Sequence, residues 1–409
     1  MDPPSPQPGD APPPRMIAAA CLGFLLLGLA VFRPALDGPF ISDDVNFVVD
    51  NPYVKGQNAS LVEVWVPRSD AQFYSGGSYQ PVTQTFHALE WRLFGTDTRG
   101  YHLANVALHA LDATLLVLLL CASAVPQRAA LLGGALFALH PANVEAVAWI
   151  SQSRSLLALG FALGALLALE RRPLASAALF ALALLSKSSA AFAIPMGAAL
   201  VWARHRRGAE VRAPLSALAI WLAVFLAFAP LEVTGLATLK PADARAYGDA
   251  ATRLRSIASI GAHYLWMAAT GSGTSAFHEP LPVRSWLDGG CLAGLALAPL
   301  FAWRIARGLR AGDEEAAWWI AAAAAFAPVS QVAPFFFPMA DRYLYFMLPG
   351  LIGGSLLAGR AALARAGARR VPWGRAAFAA GAVAVALFGL RAHGRSFLWR
   401  SDEALLREA

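Results

Sequence analysis

The amino-acid sequence predicts an all-α polytopic membrane protein, and three observations support this class. Hydrophobic residues make up 57% of the 409 residues and charged residues only 14%, whereas soluble domains average about 45–50% apolar and about 25% charged residues. The apolar residues form long blocks, such as 156–169 and 376–390, rather than stripes with a helical or strand period. A soluble fold can bury one such block as a core helix, but burying about eleven of them requires a bilayer.

The apolar blocks predict about eleven transmembrane helices, most of them near the ~20 residues that a helix needs to cross a bilayer. The first block is long and lacks a clear small-x-small cleavage site, so we interpret it as a retained span rather than a signal peptide. The proline-rich residues 1–15 before it are expected to form a disordered cytosolic tail. The predicted spans lie near residues 16–32, 101–121, 129–148, 155–170, 173–187, 189–203, 214–231, 289–306, 316–334, 343–359 and 374–391.

Arginine clusters between the apolar blocks indicate the orientation of the spans, because positive charge near span ends favours the cytosol. The clusters lie at 171–172, 204–212, 304–310 and 360–370. All of them face the cytosol only if the N-terminus does so too and residues 257–269 are re-entrant or interfacial rather than spanning. The resulting topology has a large first outer loop at 37–84, a second outer loop at 232–288 and an outer C-terminal tail at 392–409.

Charge and cysteine usage exclude several other functions. The net charge of +7 does not indicate a nucleic-acid partner, because the arginines lie between spans and no basic-aromatic platform is present. The three cysteines lie in apolar segments and form no CxxC pair. The sequence therefore predicts no disulfide framework, zinc site or redox motif.

Four polar residues recur along the second predicted span. His102, Asn105, His109 and Asp112 are spaced 3, 4 and 3 residues apart, which places them on one helical face. Polar side chains within a bilayer either line a cavity or form hydrogen bonds between helices. For the deep pair His109 and Asp112 the sequence favours interhelical hydrogen bonds, and for His102 near the outer end it favours a cavity.

Five charged sites gather at the outer ends of the predicted spans. Paired carboxylates can act as a base and a charge stabiliser or hold a divalent cation, and Arg and Lys bind phosphate. Each site alone has a simpler explanation, since acidic loop pairs are usually solvated and lysines at helix ends snorkel. Their shared side predicts carboxylate chemistry beside a phosphate-bearing ligand. The sites are Asp43–Asp44, His140 with Glu145, Arg154, Lys187 and Asp341–Arg342.

Several segments carry a resemblance to a known family. The chain contains, in order, FISDDVNFVVDNPYV, YHLANVALHAL, GALFALHPANVEAVAWISQSRSLLAL, LALLSKSS, MADRYLYFMLPG and RSFLWRSDEALL. In order and spacing these segments resemble type C glycosyltransferases, in particular the transmembrane O-mannosyltransferase-like proteins that often carry tetratricopeptide repeats. The resemblance covers roughly residues 40–200 and 335–403, and the His-Pro…Glu and Asp-Arg-Tyr-x-Tyr segments are its most specific parts.

The resemblance implies a type C glycosyltransferase fold for residues 16–391, with the active site at the periplasmic or lumenal face. The implied donor is a polyprenyl-phosphate sugar, for example of mannose, and the acceptor is a hydroxyl of a protein, glycan or lipid. The implied attack is inverting, with Asp43, or failing that Asp44, as the base. A divalent cation (Mg or Mn) bound by either aspartate is left open. The implied phosphate ligands are Arg154, Lys187 and Arg342, and the implied cavity-lining residues are His102, Asn105, His140, Glu145 and Asp341.

The sequence also departs from the family pattern. Gln80 replaces a common arginine, Asn143 a common histidine, and Ser155 a usual Asp or Asn, and no tetratricopeptide repeat supports capture of a protein acceptor. Two alternatives therefore stay open: a transporter or flippase for a polyprenyl-linked glycan, and a non-catalytic membrane scaffold derived from the enzyme. The Ala, Arg, Gly and Leu bias suggests a GC-rich bacterial genome, so we expect an inner-membrane protein whose site faces the periplasm.

Overall fold

The computed structural model describes residues 12–236, 249–332, 337–365 and 373–408, and these residues are helical without any β-strand. Most of the expected N-terminal tail, part of the second outer loop and the end of the arginine cluster at 360–370 lie outside the described residues. The α-helices are α1 Pro14–Val31, α2 Pro52–Lys55, α3 Pro81–Phe94, α4 Thr98–Ala122, α5 Gln127–Ala138, α6 Val144–Ala148, α7 Ser153–Ala168, α8 Pro173–Ser186, α9 Ala193–His205, α10 Arg212–Leu236, α11 Ala250–Thr270, α12 Gly289–Ala311, α13 Glu315–Phe326, α14 Asp341–Arg365, α15 Trp373–Ser396 and α16 Asp402–Leu406.

Within the described residues, seven helices are long and apolar enough to cross a membrane, or eight if the bent pair of α5 and residues Pro141–Ala148 forms one span. This confirms the all-α polytopic class. Each predicted span overlaps a helix, although 129–148 is divided between α5 and α6. The total of eleven stays a prediction because α8, α9 and the helix Glu315–Val329 are short. The pair is bent by 50° where His140 precedes Pro141, since a residue before proline disfavours the helical conformation.

Small residues let the helices of the core approach closely. On α14, Gly353 and Gly354 face the indoles of Trp318 and Trp319 on α13, and a Cβ atom at Gly353 would lie 2.2 Å from the Trp318 ring. The Trp318 side chain, packed against Gly353, is fully buried. Without a hydrophobic driving force between helices in lipid, such close packing stabilises their association.

The predicted re-entrant or interfacial stretch 257–269 forms part of α11, a continuous helix of 21 residues. Near its start, Arg255 Nε donates a hydrogen bond to the Val283 carbonyl (3.0 Å), and at its end the Thr270 carbonyl accepts one from Arg391 (3.0 Å). Both ends therefore contact residues predicted to lie at the outer side. The unbroken helix fits the interfacial form of the prediction better than the re-entrant form, and its placement relative to a bilayer stays a prediction.

The first outer loop consists of single helical turns held by local caps. The Asn51 side chain accepts hydrogen bonds from the amides of Tyr53 and Val54 (3.1 and 3.2 Å), and Ser60 and Glu63 form a capping box. Such caps satisfy backbone donors that a short helix leaves free. The loop ends in α3, a 14-residue helix that the sequence analysis did not predict.

Candidate functional site at the outer ends of the helices

The two neighbouring aspartates of the first loop face opposite ways. Ser42 adopts a left-handed backbone conformation (φ 50°) just before them. The Asp43 side chain is 45% exposed, whereas Asp44 is fully buried. The Asp44 carboxylate accepts hydrogen bonds from the amides of Ile41 (3.1 Å) and Ser151 (2.7 Å). Asp44 thus fastens the loop to the segment that precedes α7, and Asp43 is the aspartate that a ligand can reach.

Burial sets the protonation of Asp44. It raises the pKa of this carboxyl from 3.8 to about 7, because desolvation outweighs the two amide hydrogen bonds, and the charge of Asp43 raises the pKa further. Near neutral pH, Asp44 is therefore shared between its charged and neutral forms.

Arg154, the second residue of α7, faces Asp43. Its Nη2 lies 3.5 Å from Asp43 Oδ2, and its guanidinium stacks over the Phe47 ring at 4.8 Å. The Gln152 amide, turned so that both of its groups are satisfied, accepts from Arg154 Nη2 (2.8 Å) and donates to Ser155 Oγ (2.9 Å). Arg154 is thereby held next to the accessible carboxylate.

Lys187 lies directly after α8, where the backbone turns extended. Its ammonium donates a hydrogen bond to Ser155 Oγ (2.9 Å) and lies 5.7 Å from the Phe346 ring. Within the described residues no carboxylate lies at salt-bridge distance from it. The charges of Arg154 and Arg342 repel it, and those of Glu145 and Asp43 attract it, so Lys187 belongs to the same cluster as the other charged side chains.

Arg342, the second residue of α14, has a buried acidic partner. Glu145 on α6 accepts a hydrogen bond from the Arg342 amide (2.7 Å) and forms an ion pair with its guanidinium. The guanidinium also lies over the rings of Trp149 (5.3 Å) and Tyr343 (5.2 Å). Glu145, expected as a cavity-lining residue, is a buried counter-charge in the structure.

The charges of the cluster leave room for an anion. Arg154, Lys187 and Arg342 bring three basic side chains together, and Asp43 and Glu145 are the acidic partners of the two arginines. Aromatic rings cover the cations, which strengthens electrostatic attraction by excluding water. The arrangement can hold one phosphate group beside an accessible carboxylate.

Three residues expected to line a cavity instead bind backbone atoms. The His102 ring bonds to the Gly38 carbonyl (3.2 Å), and the His140 ring caps residues 141–143 through the Ala142 amide (3.2 Å). The Asn105 amide donates to the carbonyls of Val147 (3.2 Å) and Trp149 (3.0 Å) at the end of α6. All three side chains are buried. His140 and Asn105 stabilise the bent segment that carries Glu145, and His102 holds the start of the first outer loop.

His109 and Asp112 form hydrogen bonds between helices, as the sequence favoured. The Tyr345 hydroxyl on α14 lies 2.9 Å from His109 Nδ1 and 2.6 Å from Asp112 Oδ2. His109 Nε2 lies 2.9 Å from the Ala138 carbonyl. The chain of polar atoms joins α4 to α14 and to the end of α5, away from the charged cluster.

Asp341 is held by residues that the sequence analysis missed. His278 Nε2 donates to its Oδ1 (2.7 Å), and Arg395 Nη2 lies 3.3 Å from its Oδ2. Arg395 belongs to the closing RSFLWRSDEALL segment. Because this segment carries part of the family resemblance, the sequence could have indicated a role for Arg395. Nothing in the sequence singles out His278, because it lies in a loop that contains no recognisable motif.

The sequence analysis also missed a buried hydrogen-bonded group formed by Ser153, His87 and Glu90, next to Arg154 in the chain. Ser153 Oγ lies 3.3 Å from His87 Nε2, and His87 Nδ1 lies 2.8 Å from Glu90. Burial raises the pKa of Glu90, and its His87 partner opposes that shift. The order of hydroxyl, imidazole and acid matches a hydrolase triad, but all three side chains are buried. The trio therefore joins α3 to α7 and does not meet a substrate.

The position of Gln80, where the family often has arginine, lies at the start of α3. Gln80 is buried, and the neighbouring Tyr79 amide donates to Glu232 on α10 (3.0 Å). Thr83 donates to the Ser186 carbonyl (3.0 Å), which places this end of α3 beside Lys187.

The described residues contain no group of three or more His, Cys, Asp or Glu side chains that could hold a metal ion. Both Asp44 oxygens already accept backbone hydrogen bonds, which leaves Asp43 as the accessible carboxylate of the pair.

Fold and site define a polytopic helical membrane protein with an acidic and cationic cluster at one end of its helices. Comparison with known proteins shows which membrane proteins the chain is similar to. The chain is 32% identical over 195 residues to the protein O-mannosyl-transferase F38B6.6 of Caenorhabditis elegans, covering 44% of this chain and 28% of that protein. It is 36% identical over 136 residues to the protein O-mannosyl-transferase Tmtc1 of Drosophila melanogaster, covering 32% and 16%. The human protein O-mannosyl-transferase TMTC3 is 28% identical over 137 residues, covering 32% and 15%.

These partial relatives confirm the resemblance to transmembrane O-mannosyltransferases. The chain spans less than a third of the length of these curated relatives. They support an integral membrane protein, but all three are animal proteins and lend no support to a bacterial inner membrane or a periplasmic face. No family model matches the chain. No solved structure matches it either.

Proposed function

We propose that the protein is a membrane glycosyltransferase that moves a sugar from a polyprenyl-phosphate donor to a hydroxyl acceptor at the outer face of its membrane. The observation that carries the proposal is the accessible Asp43 carboxylate 3.5 Å from Arg154, in one cluster with Lys187 and Arg342. The names of the relatives point to mannose as the sugar and a protein as the acceptor.

In the proposed reaction, Asp43 takes the proton of the acceptor hydroxyl. The hydroxyl oxygen attacks C1 of the sugar from the face opposite the phosphate, so the configuration inverts. The bond between C1 and the phosphate oxygen breaks, and its electron pair stays on the phosphate. A positioned general base typically contributes about 10²–10⁴-fold in rate.

The three cations are suited to the departing phosphate. Negative charge grows on its oxygens as the bond breaks, and fixed cations in a site without bulk water stabilise such charge strongly. Arg154 and Arg342 offer planar forks for phosphate oxygens, and Lys187 acts as a point charge. Ser155 stands where the family usually has Asp or Asn, and its hydroxyl still accepts a hydrogen bond from Lys187. The substitution at position 155 therefore leaves Lys187 with a partner in the site.

Asp44 has a supporting role in this proposal. Because its oxygens bind the amides of Ile41 and Ser151, it holds the Asp43 turn against the start of α7, where Arg154 lies. The distance between base and phosphate site thus depends on Asp44.

The proposal can be tested with the purified full-length chain in liposomes, radiolabelled polyprenyl-phosphate mannose and a serine- and threonine-rich peptide. Asp43→Asn keeps the side-chain shape but removes the base, so transfer should fall about 10²–10⁴-fold while donor binding persists. Asp50→Asn is the matched control, because Asp50 is an exposed acid of the same loop.

Two results would contradict the proposal. Full transfer by the Asp43→Asn variant would remove the proposed mechanism. Movement of the labelled lipid between leaflets without any sugar transfer would instead favour the transporter, and binding without either activity would favour the scaffold.

A further inference from the structure

The C-terminal segment, residues 391–408, is fastened to the second outer loop. Arg395 Nη1 donates to the Thr274 carbonyl (3.1 Å) and to Glu408 (2.9 Å). Glu408 in turn accepts a hydrogen bond from the Ala276 amide (3.2 Å). These contacts involve both ends of the segment, so it is a docked part of the fold.

Arg395 also reaches the residue next to a proposed phosphate ligand. Its Nη2 lies 3.3 Å from Asp341 Oδ2, and the Asp341 side chain is only 1% exposed. Asp341 directly precedes Arg342 in the chain. A buried carboxylate without a counter-charge is strongly unfavourable, and Asp341 is paired with His278 Nε2 (2.7 Å) and with Arg395. Arg395 and His278 together compensate the charge of Asp341, so that the Arg342 guanidinium pairs with Glu145 on the side of the cluster.

Trp399 reaches the site from a second direction. Its ring packs against Trp149 with centroids 5.6 Å apart. The Trp149 ring lies under the Arg342 guanidinium at 5.3 Å, and its Nε1 donates to the Ile41 carbonyl (3.4 Å). Trp149 therefore contacts both Arg342 and the turn before Asp43. Trp399 packs against the Trp149 ring.

We propose that Arg395 and Trp399 are positioning residues of the donor-phosphate site, an inference that rests on the proposed function. Arg395 fixes the charge balance beside Arg342. Trp399 fixes the Trp149 ring, and with it the separation between Arg342 and the Asp43 turn. Neither residue needs to touch the substrate.

The charge part of the inference is tested by donor binding, with radiolabelled polyprenyl-phosphate mannose as the probe. Arg395→Met should weaken binding about tenfold to a hundredfold, the range expected for loss of a buried charged hydrogen bond. Arg395→Lys keeps the charge but not the fork, so its affinity should lie between those of Arg395→Met and the unmodified protein. Arg400→Met is the matched control, because Arg400 is an exposed arginine of the same segment.

The packing part is tested without any ligand. Ser42 is exposed next to Asp43, so Ser42→Cys, in a chain whose three native cysteines are changed to alanine, reports access to the turn through a membrane-impermeant maleimide. Trp399→Ala should increase the labelling rate several-fold, and Trp399→Phe should restore most of the protection. Phe397→Ala removes an exposed aromatic of the same segment and should leave the rate unchanged.

The two measurements separate failure of this inference from failure of the proposed function. Unchanged donor affinity in Arg395→Met together with unchanged labelling in Trp399→Ala overturns the inference and leaves the glycosyltransferase proposal intact. If the unmodified protein does not bind the probe, the proposed function fails. In that case the labelling rate of Trp399→Ala still tests whether Trp399 holds the Asp43 turn, and an unchanged rate overturns that role. If Trp399→Ala does not elute as a folded protein, Trp399→Leu replaces it, with the same expected increase and the same overturning result.

Discussion

Replacing Asp44 by asparagine should flatten the dependence of stability on pH between about pH 5 and about pH 8. Burial raises the pKa of Asp44 from 3.8 to about 7 in the folded protein. The folded state therefore binds this proton more tightly than the unfolded state does. Stability is highest at low pH and falls as the pH rises from about 4 to about 7, because the unfolded chain ionises Asp44 freely and the folded chain does not.

The size of the effect follows from the two pKa values. One pKa unit corresponds to about 1.4 kcal/mol, and most of the interval between 3.8 and about 7 lies within the tested range. The free energy of unfolding should thus lose about 2–3 kcal/mol on this account between about pH 5 and about pH 8. The Asp44→Asn variant lacks the titration, but the substitution also replaces one acceptor oxygen by a donor that faces a backbone amide. This lowers stability by about 1–3 kcal/mol at every pH.

Unfolding in mixed detergent micelles with increasing SDS, measured at several pH values for both proteins, provides the test. The difference between the two slopes isolates Asp44, because all other titrating groups are common to both. Asp50→Asn controls for the removal of an exposed loop charge. The reasoning fails if Asp44→Asn keeps the slope of the unmodified protein, or if the unmodified protein gains stability relative to the variant as the pH rises.

Two further predictions concern topology and the phosphate ligands. Cysteines placed at Ser69 and Ser401 should react with an impermeant maleimide from the outside and one placed at Glu210 should not, and protection of the Ser401 probe would show that α11 crosses the membrane. Lys187→Ala should weaken binding of polyprenyl-phosphate mannose with little loss of stability, since among the described residues the ammonium has a hydroxyl of Ser155 as its close partner and no carboxylate at salt-bridge distance. Arg342→Ala should weaken binding and also destabilise the fold by about 3–5 kcal/mol, because it strands a buried carboxylate; equal melting temperatures for the two variants would contradict this difference.

The sequence was sufficient for the long apolar helices, though not for α3, and for the end of the helices at which the charged residues meet. Apolar block length predicts a helix wherever the bilayer must be crossed. The arginine clusters then orient the blocks, and this places Asp43, Arg154, Lys187 and Arg342 at one end without any knowledge of their contacts.

The roles of individual residues depend on contacts that no local pattern records. Asp43 and Asp44 look equivalent in the sequence, and only the left-handed turn at Ser42 and the distant Ser151 amide distinguish them. Likewise, the helical spacing of Asn105 left a cavity and interhelical hydrogen bonds equally open, and we expected it to line the cavity. Its amide instead satisfies carbonyls at the end of α6, which are left without helical partners because the chain breaks there.

The three basic side chains of the cluster have a consequence for turnover. A polyprenyl-phosphate sugar is a phosphodiester with one negative charge, whereas the lipid phosphate left after transfer is a monoester carrying about −1.5 to −2 charges near neutral pH. Arg154, Lys187 and Arg342 would therefore hold the spent carrier more tightly than the substrate. Product inhibition by free polyprenyl phosphate, strongest at alkaline pH where the monoester is fully ionised, would then limit the cycle at carrier release rather than at bond breakage.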